Sequence, residues 1–212
     1  GCDERNEYLY KFVSAGRFDR RNPHSAYNRE LLSEGTLYAA KLDAGGVAGD
    51  RMGGGSWIPL VFGQHGLTAA NGFQNQGDVL LRARQAADRV GATMMDRPEW
   101  VAAHPQRPGE VYATLTRNPQ RGTAPASTHR PEGDTVAGTA RPPVDEANPR
   151  ARNLWGHIVR WFEAGGDGAA LRFEWDLFVL AGPGDPAFTS PDGLAFDRDG
   201  RLWIQTDGSV SD

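Results

Sequence analysis

The chain has 212 residues, of which 39% are hydrophobic and 24% charged, and a formal net charge of −4. This is the composition of an ordinary globular protein, and the acidic balance argues against a nucleic-acid partner. No apolar run approaches the roughly 18 residues of a membrane span, and a single cysteine, Cys2, excludes an internal disulfide or a cysteine-based zinc cluster.

Taken in order, residues 6–14 (NEYLYKFVS) are rich in Tyr, Phe and Val and predict a strand. Residues 17–33 are polar, with a short helix expected near 26–32. GTLYAAKL at 35–42 predicts a second strand, followed by a turn at 43–46. Gly53-Gly54-Gly55 lacks the Gly-Lys-Ser/Thr of a phosphate loop and is expected to form a flexible turn before a strand at 56–61. Residues 77–90 place Val79, Leu80, Ala83, Ala86, Ala87 and Val90 at helical spacing, with Gly91 positioned as the C-terminal cap. Strands at 101–103 and 111–115 flank a Pro/Gly turn at 105–109. Residues 118–153 are dense in Pro, Gly, Thr and Arg and predict a long loop or insertion outside the core. Strand-like runs follow at 157–162, 170–175 and 177–181, and then SPDGLAFDRDGRLWIQTD at 190–207. A chain that starts at Gly1 and stops just after a strand reads as an interior piece of a longer protein, and the piece alone is expected to be inactive.

The stretch 95–116 (MDRPEWVAAHPQRPGEVYATLT) carries the strongest chemical signal. Pro98 disfavours the helical region for Arg97, which predicts extended chain at the mouth of a strand. Residues two apart in extended chain share a side, so Arg97 and Glu99 would stand together. A guanidinium beside a carboxylate suits a phosphate held next to a metal ion, although the same pair also occurs as a plain surface ion pair.

This stretch has a counterpart downstream. Pro98-Glu99-Trp100-Val101-Ala102 aligns with Pro191-Asp192-Gly193-Leu194-Ala195, and Gly109-Glu110-Val111-Tyr112 with Gly200-Arg201-Leu202-Trp203. Pro191 lies 93 residues after Pro98, close to twice the length of a propeller blade. Short strands, glycine turns and this repeat predict a mainly β fold, a partial β-propeller of several blades with an inserted helix. On a propeller, equivalent positions face one rim of the channel, so Glu99 and Asp192 could converge there. Oxygen ligands of that kind suit calcium or ferric iron better than zinc, and the five histidines have no zinc-site spacing.

MDRPEWVAAHP, GHIVRW (156–161), WDLFVLAG (175–182), SPDGLAFDRDGRLWIQTDG (190–208) and DERNEYLYKFVS together resemble the PhoX family of alkaline phosphatases. The resemblance runs over nearly the whole chain and is weakest at 118–139. It implies that 1–212 form part of a single propeller catalytic domain. It also implies a periplasmic or extracellular, monomeric enzyme that hydrolyses small phosphate esters with Ca2+ and Fe3+. By position, Arg97 resembles the phosphate-gripping arginine, with Arg150 next in line. Glu4, Glu99 and Asp192 resemble metal-ligating acids, while Asp207 suits a turn equally well. The family's iron-ligating cysteine belongs to an earlier part of its chain, so Cys2 is read as incidental. Two other functions fit a propeller with this pattern: a non-catalytic calcium-binding module, and a sugar-lactone hydrolase, which would not need the Arg97 fork.

Overall fold

The computed structural model describes residues 3–127, 140–183 and 187–208; Cys2 and the middle of the Pro/Gly-rich stretch lie outside them. The strand expected at 6–14 is two strands, β1 (Arg5–Glu7) and β2 (Tyr10–Ser14). Asn6, at φ +65°, makes an irregularity inside β1, and asparagine tolerates that left-handed geometry. The short helix is α1 (Ala26–Arg29), capped where the Ser25 hydroxyl accepts from the Asn28 N–H at 3.2 Å. Strand β3 (Gly35–Leu42) falls as expected.

The three glycines are not a turn. They lie inside β4 (Met52–Pro59), between β3 and a distant strand. A Cβ on Gly55 would stand 2.2 Å from the Phe173 ring, and one on Gly53 2.0 Å from the Asp43 carbonyl oxygen. Glycine is needed here for close approach within a sheet.

The single helix expected at 77–90 is broken into α2 (Gln76–Leu81) and α3 (Ala83–Val90). Arg82, at φ −113° and ψ 40°, makes the break. Its guanidinium bonds Asp78 at 2.9 Å and lies 4.5 Å over the Phe73 ring. Gly91 closes α3 at φ +72°, as its position predicts.

The remaining elements are all strands: β5 (Met95–Asp96), β6 (Pro98–Ala103), β7 (Glu110–Leu115), β8 (His157–Glu163), β9 (Arg172–Leu180), β10 (Pro191–Phe196) and β11 (Leu202–Thr206). The two runs expected at 170–181 are the one strand β9. Seven strands form a curled antiparallel sheet in the order β2-β3-β4-β9-β8-β7-β6, while β1 pairs with β5 and β10 with β11. The mainly β class read from the sequence holds.

Alternation along β7 explains both faces of its end of the sheet. Ala113 and Leu115 point into a core with Trp57, Trp161, Trp175, Phe173 and Met95. Tyr112 points the other way, where the β10–β11 hairpin stacks on the sheet through Leu194, Phe196 and Leu202. Thr114 shares that face and is fully buried. Its hydroxyl accepts from the Trp100 N–H at 3.0 Å and donates to the Asp192 carbonyl at 2.6 Å, joining the two hairpins.

The described parts of the 118–153 region reach into the interior, contrary to the expectation drawn from its composition. Arg121 is fully buried, and so are Asn118 and Asn148. The Arg121 Nε bonds Asp96 at 2.9 Å and an Nη bonds the Met94 carbonyl at 2.7 Å. Asn153 donates to Asp96 at 2.9 Å and lies 3.1 Å from Nδ1 of His157, whose Nε2 is 2.9 Å from the Ala147 carbonyl. Polar side chains here satisfy buried backbone and one another, a role that low apolar content conceals.

Two outcomes are expected. Thr114→Val keeps the side-chain shape but strips both hydrogen bonds, and should cost roughly 1–3 kcal/mol in urea unfolding. A loss below about 0.5 kcal/mol, the range of neutral surface changes, would remove the clasp from the account. His157 is buried, which depresses its pKa from 6.5 to about 4. The folded state therefore binds fewer protons than the unfolded chain between these values. The neutral ring's contribution is complete above pH 6.5 and fades as pH falls toward 4, by about 3 kcal/mol in all. Unfolding curves at pH 7 and 4 should show this loss in the native protein and a smaller one in His157→Gln. Equal losses in the two proteins would contradict it.

Candidate active site

Everything chemically distinctive gathers where β5 passes into β6. Asp96 is fixed by Arg121 and Asn153, and the next residue, Arg97, adopts φ +59°. This corrects the extended conformation expected for Arg97. Its N–H bonds the Met95 carbonyl at 3.1 Å, and its own carbonyl accepts from the Thr116 N–H at 3.1 Å. Those two ties turn the backbone left-handed, at a cost of about 1–2 kcal/mol for a side chain with a Cβ. Strain of this kind persists only where surrounding structure enforces it, and it collects at functional sites.

The strand then bulges. Pro98 pairs with Leu115 and Val101 with Ala113, so β6 runs three steps against two on β7. Glu99 lies within this bulge. The second hairpin repeats the construction: Pro191 pairs with Thr206 and Leu194 with Ile204, with Asp192 in the bulge. Ser190 precedes that proline at φ +50°, as Arg97 precedes its own, and Gly109 and Gly200 close their hairpins at φ +81° each. The repeat read from sequence is therefore a repeat of backbone geometry, and the acid stands at the same point of each copy.

Arg97 and Glu99 are neighbours, as expected, at 3.7 Å from Nη2 to Oε1. The main partner of Arg97 is Asp3, which was not anticipated: Nε donates to Oδ1 at 2.9 Å and Nη2 contacts the same oxygen. The Thr116 hydroxyl reaches Glu99 at 3.2 Å. Burial is the leading influence on Glu99, followed by the hydrogen bond and charge of Asp3 and then the charge of Asp192. Together they push its carboxyl up to about 7. Asp3 moves the opposite way, below the usual carboxylate range, because Glu99 hydrogen-bonds to it and Arg97 stands beside it.

Glu4 lines the same cavity of about 320 Å³ as Asp3, Arg5 and Arg97, and its carboxylate is occupied by the Arg5 N–H at 2.7 Å. Asp192 is half-buried and acts on Glu99 through its charge. Asp207 helps line an adjoining cavity of about 260 Å³ with Arg97 and Ser190, and its N–H bonds the Ser190 carbonyl at 2.9 Å. Arg150 is not in this group; its guanidinium bonds the Ala181 carbonyl and lies 5.7 Å from the Trp155 ring. A cavity of about 640 Å³ is at the other end of β8, around Gly55, Glu163 and Phe173. Glu163 there is held by the indole N–H groups of Trp57 and Trp161 at 3.2 and 3.1 Å and by Lys11 at 2.9 Å, a packing arrangement with no strained backbone beside it.

Sequence reasoning missed Asp3, Thr116 and Arg117, the last of which lines both cavities beside Arg97. Asp3 immediately precedes Glu4, but the contact that matters crosses 94 positions of chain to Arg97. Thr116 and Arg117 follow β7, which pairs with β6, and that pairing was the available signal.

The carboxylates offer the hard oxygen donors that calcium or ferric iron takes, and their mutual repulsion at Glu99 is what a cation would relieve. Among the described residues, no three His, Cys, Asp or Glu side chains stand close enough to hold a metal ion by themselves. The donor chemistry of these carboxylates is that of a site for a hard cation.

No curated protein matched the chain. The solved structure of Pseudomonas fluorescens PhoX in complex with vanadate, a transition state analogue, matches with 43% identity and a TM-score of 0.83. The match covers 99% of this chain and 36% of that one, so the chain spans about a third of its relative's length. The family model described as alkaline phosphatase PhoX, a family of metal-dependent phosphatases, covers residues 1–212. On that full-length match, the chain belongs to the PhoX alkaline phosphatase family.

Proposed function

We propose that this chain carries part of the active site of an alkaline phosphatase, which releases inorganic phosphate from small organic phosphate monoesters. The observation that carries this reading is the Arg97–Asp3–Glu99 cluster on a strained turn and bulge, within a chain of the PhoX family. The vanadate complex of the relative, a mimic of phosphoryl transfer, supports the same reaction class. A lactone hydrolase would leave the Arg97 fork without a task.

In this reading Arg97 turns its planar donors to the phosphoryl oxygens, and Asp3 fixes the direction of the guanidinium. Glu99 and Asp192 would hold Ca2+ or Fe3+, with Glu4 at the rim. A bound cation would supply charge neutralisation for the phosphoryl group and a more acidic water. Thr116 holds the Glu99 carboxyl in place, and the Asp96–Arg121 pair holds the strand end, so neither side chain has to reorganise as charge builds on the phosphorus substituents. The enzyme works as a monomer in the periplasm or outside the cell. No helix among the described residues is long and apolar enough to cross a membrane.

The test uses two variants of the full-length protein, metal analysis and p-nitrophenyl phosphate. Glu99→Gln removes the charge a hard cation needs, so bound metal should fall and activity should drop about a hundredfold. Arg97→Lys keeps the charge but loses the fork, so metal should stay while kcat/KM falls about 10²–10³-fold. Normal metal and normal rate in Glu99→Gln would remove Glu99 from the site. Normal kinetics in Arg97→Lys would reduce Arg97 to a partner of Asp3.

A further inference from the structure

Arg117 follows Thr116 at the end of β7, and Thr116 ties to the Arg97 carbonyl through both its N–H at 3.1 Å and its hydroxyl at 3.3 Å. Arg117 therefore leaves the backbone directly beside Arg97. Both arginines line both of the adjoining cavities, of about 320 and 260 Å³, so they stand on the wall the two share.

Their electrostatic situations differ. Around the first cavity, Asp3 is taken by Arg97 and Glu4 by Arg5, at 2.9 and 3.6 Å. Arg117 is exposed, and among the described residues its guanidinium makes no hydrogen bond and no ion pair. Of the three arginines that line the first cavity, it is the one with no acid paired to it among the described residues. The second cavity adds Thr116, Thr189 and Ser190, all largely buried, and a single carboxylate, Asp207. A phosphate monoester at neutral pH is a dianion with three terminal oxygens. Arg97, already committed to Asp3, has too few free donors to satisfy it alone.

We propose that Arg117 is a second phosphate-binding residue, which makes a two-arginine clamp with Arg97 at the wall shared by the two cavities. This rests on the phosphatase reading above. Because Arg117 has no partner to leave among the described residues, it meets the anion without first breaking an ion pair there. Its effect falls chiefly on binding of substrate and of product phosphate.

The test compares the full-length protein with Arg117→Ala and Arg117→Lys, measuring inorganic phosphate binding by calorimetry and p-nitrophenyl phosphate hydrolysis. Arg117→Ala should raise KM and the phosphate dissociation constant about tenfold, as expected for one charge-assisted hydrogen-bonding group, with kcat changed far less. Arg117→Lys should recover part of that loss, because charge remains and the fork does not. If the protein hydrolyses the ester and Arg117→Ala leaves KM and phosphate affinity within twofold, Arg117 is a solvated surface residue. The clamp is then overturned while the phosphatase reading stands. If the unmodified protein neither binds phosphate nor hydrolyses the ester, both fall. If it binds phosphate in an Arg117-dependent way without turnover, the clamp stands and the catalytic reading fails.

Discussion

The ion pair between Arg121 and Asp96 is the contact on which the functional end of the sheet depends. Their side chains are 1% and 0% exposed, and the pair is surrounded by further polar groups, including Asn153 and the Met94 carbonyl. A buried pair is not in itself strongly stabilising, because desolvation offsets most of the attraction. Removing one member is different, since an unpaired buried charge costs roughly 3–5 kcal/mol. The arrangement is better understood as specifying position. Arg121 comes from the loop after β7 and Asp96 from β5, and the contact fixes where the chain enters Arg97.

Arg97 depends on this anchoring because its backbone is in a left-handed conformation that a free chain would leave. Asp96 held on one side, and the Thr116 pairing on the other, supply the enforcement. Beyond it, the β-bulge sets Glu99 out of simple alternation and next to Asp3 and Thr116. A regular strand would give its acid the direction dictated by the pleat, whereas a bulge re-aims it. The same device recurs at Asp192, and Thr114 fastens the backbones of the two bulged strands together. The charge of one acid of the duplicated motif, Asp192, thereby acts on the other, Glu99, at the end of the sheet away from the tryptophans around Glu163.

Composition misled at two places for related reasons. The glycine triplet looked mobile because glycine adds conformational freedom to an isolated chain, yet in β4 it makes room for the Phe173 ring. The 118–153 region looked peripheral because it has few large apolar residues. Arg121, Asn118, Asn148 and Asn153 are nevertheless among the most buried polar groups of the described residues, because a wandering backbone inside a fold needs partners for its N–H and C=O groups. Burial of polar side chains leaves no periodic trace, so hydrophobic patterning passes over it.

The sequence by itself determined the mainly β class, the strand at 35–42, the Gly91 cap, the hairpin repeat and, through its long motifs, the PhoX family. Each of these is encoded locally: by alternation, by a residue with special backbone freedom, or by a run of adjacent letters. It also placed Arg97 beside Glu99, since two positions of separation on a strand end leave few other arrangements. Only the tertiary structure decided that Arg97 is left-handed, that Asp3 is its partner, that Thr114 joins the hairpins and that Arg117 stands at the shared cavity wall without a partner among the described residues. Those facts come from contacts between segments tens of residues apart. Such contacts are selected by packing and by the satisfaction of buried polar groups, neither of which a stretch of neighbouring residues can specify.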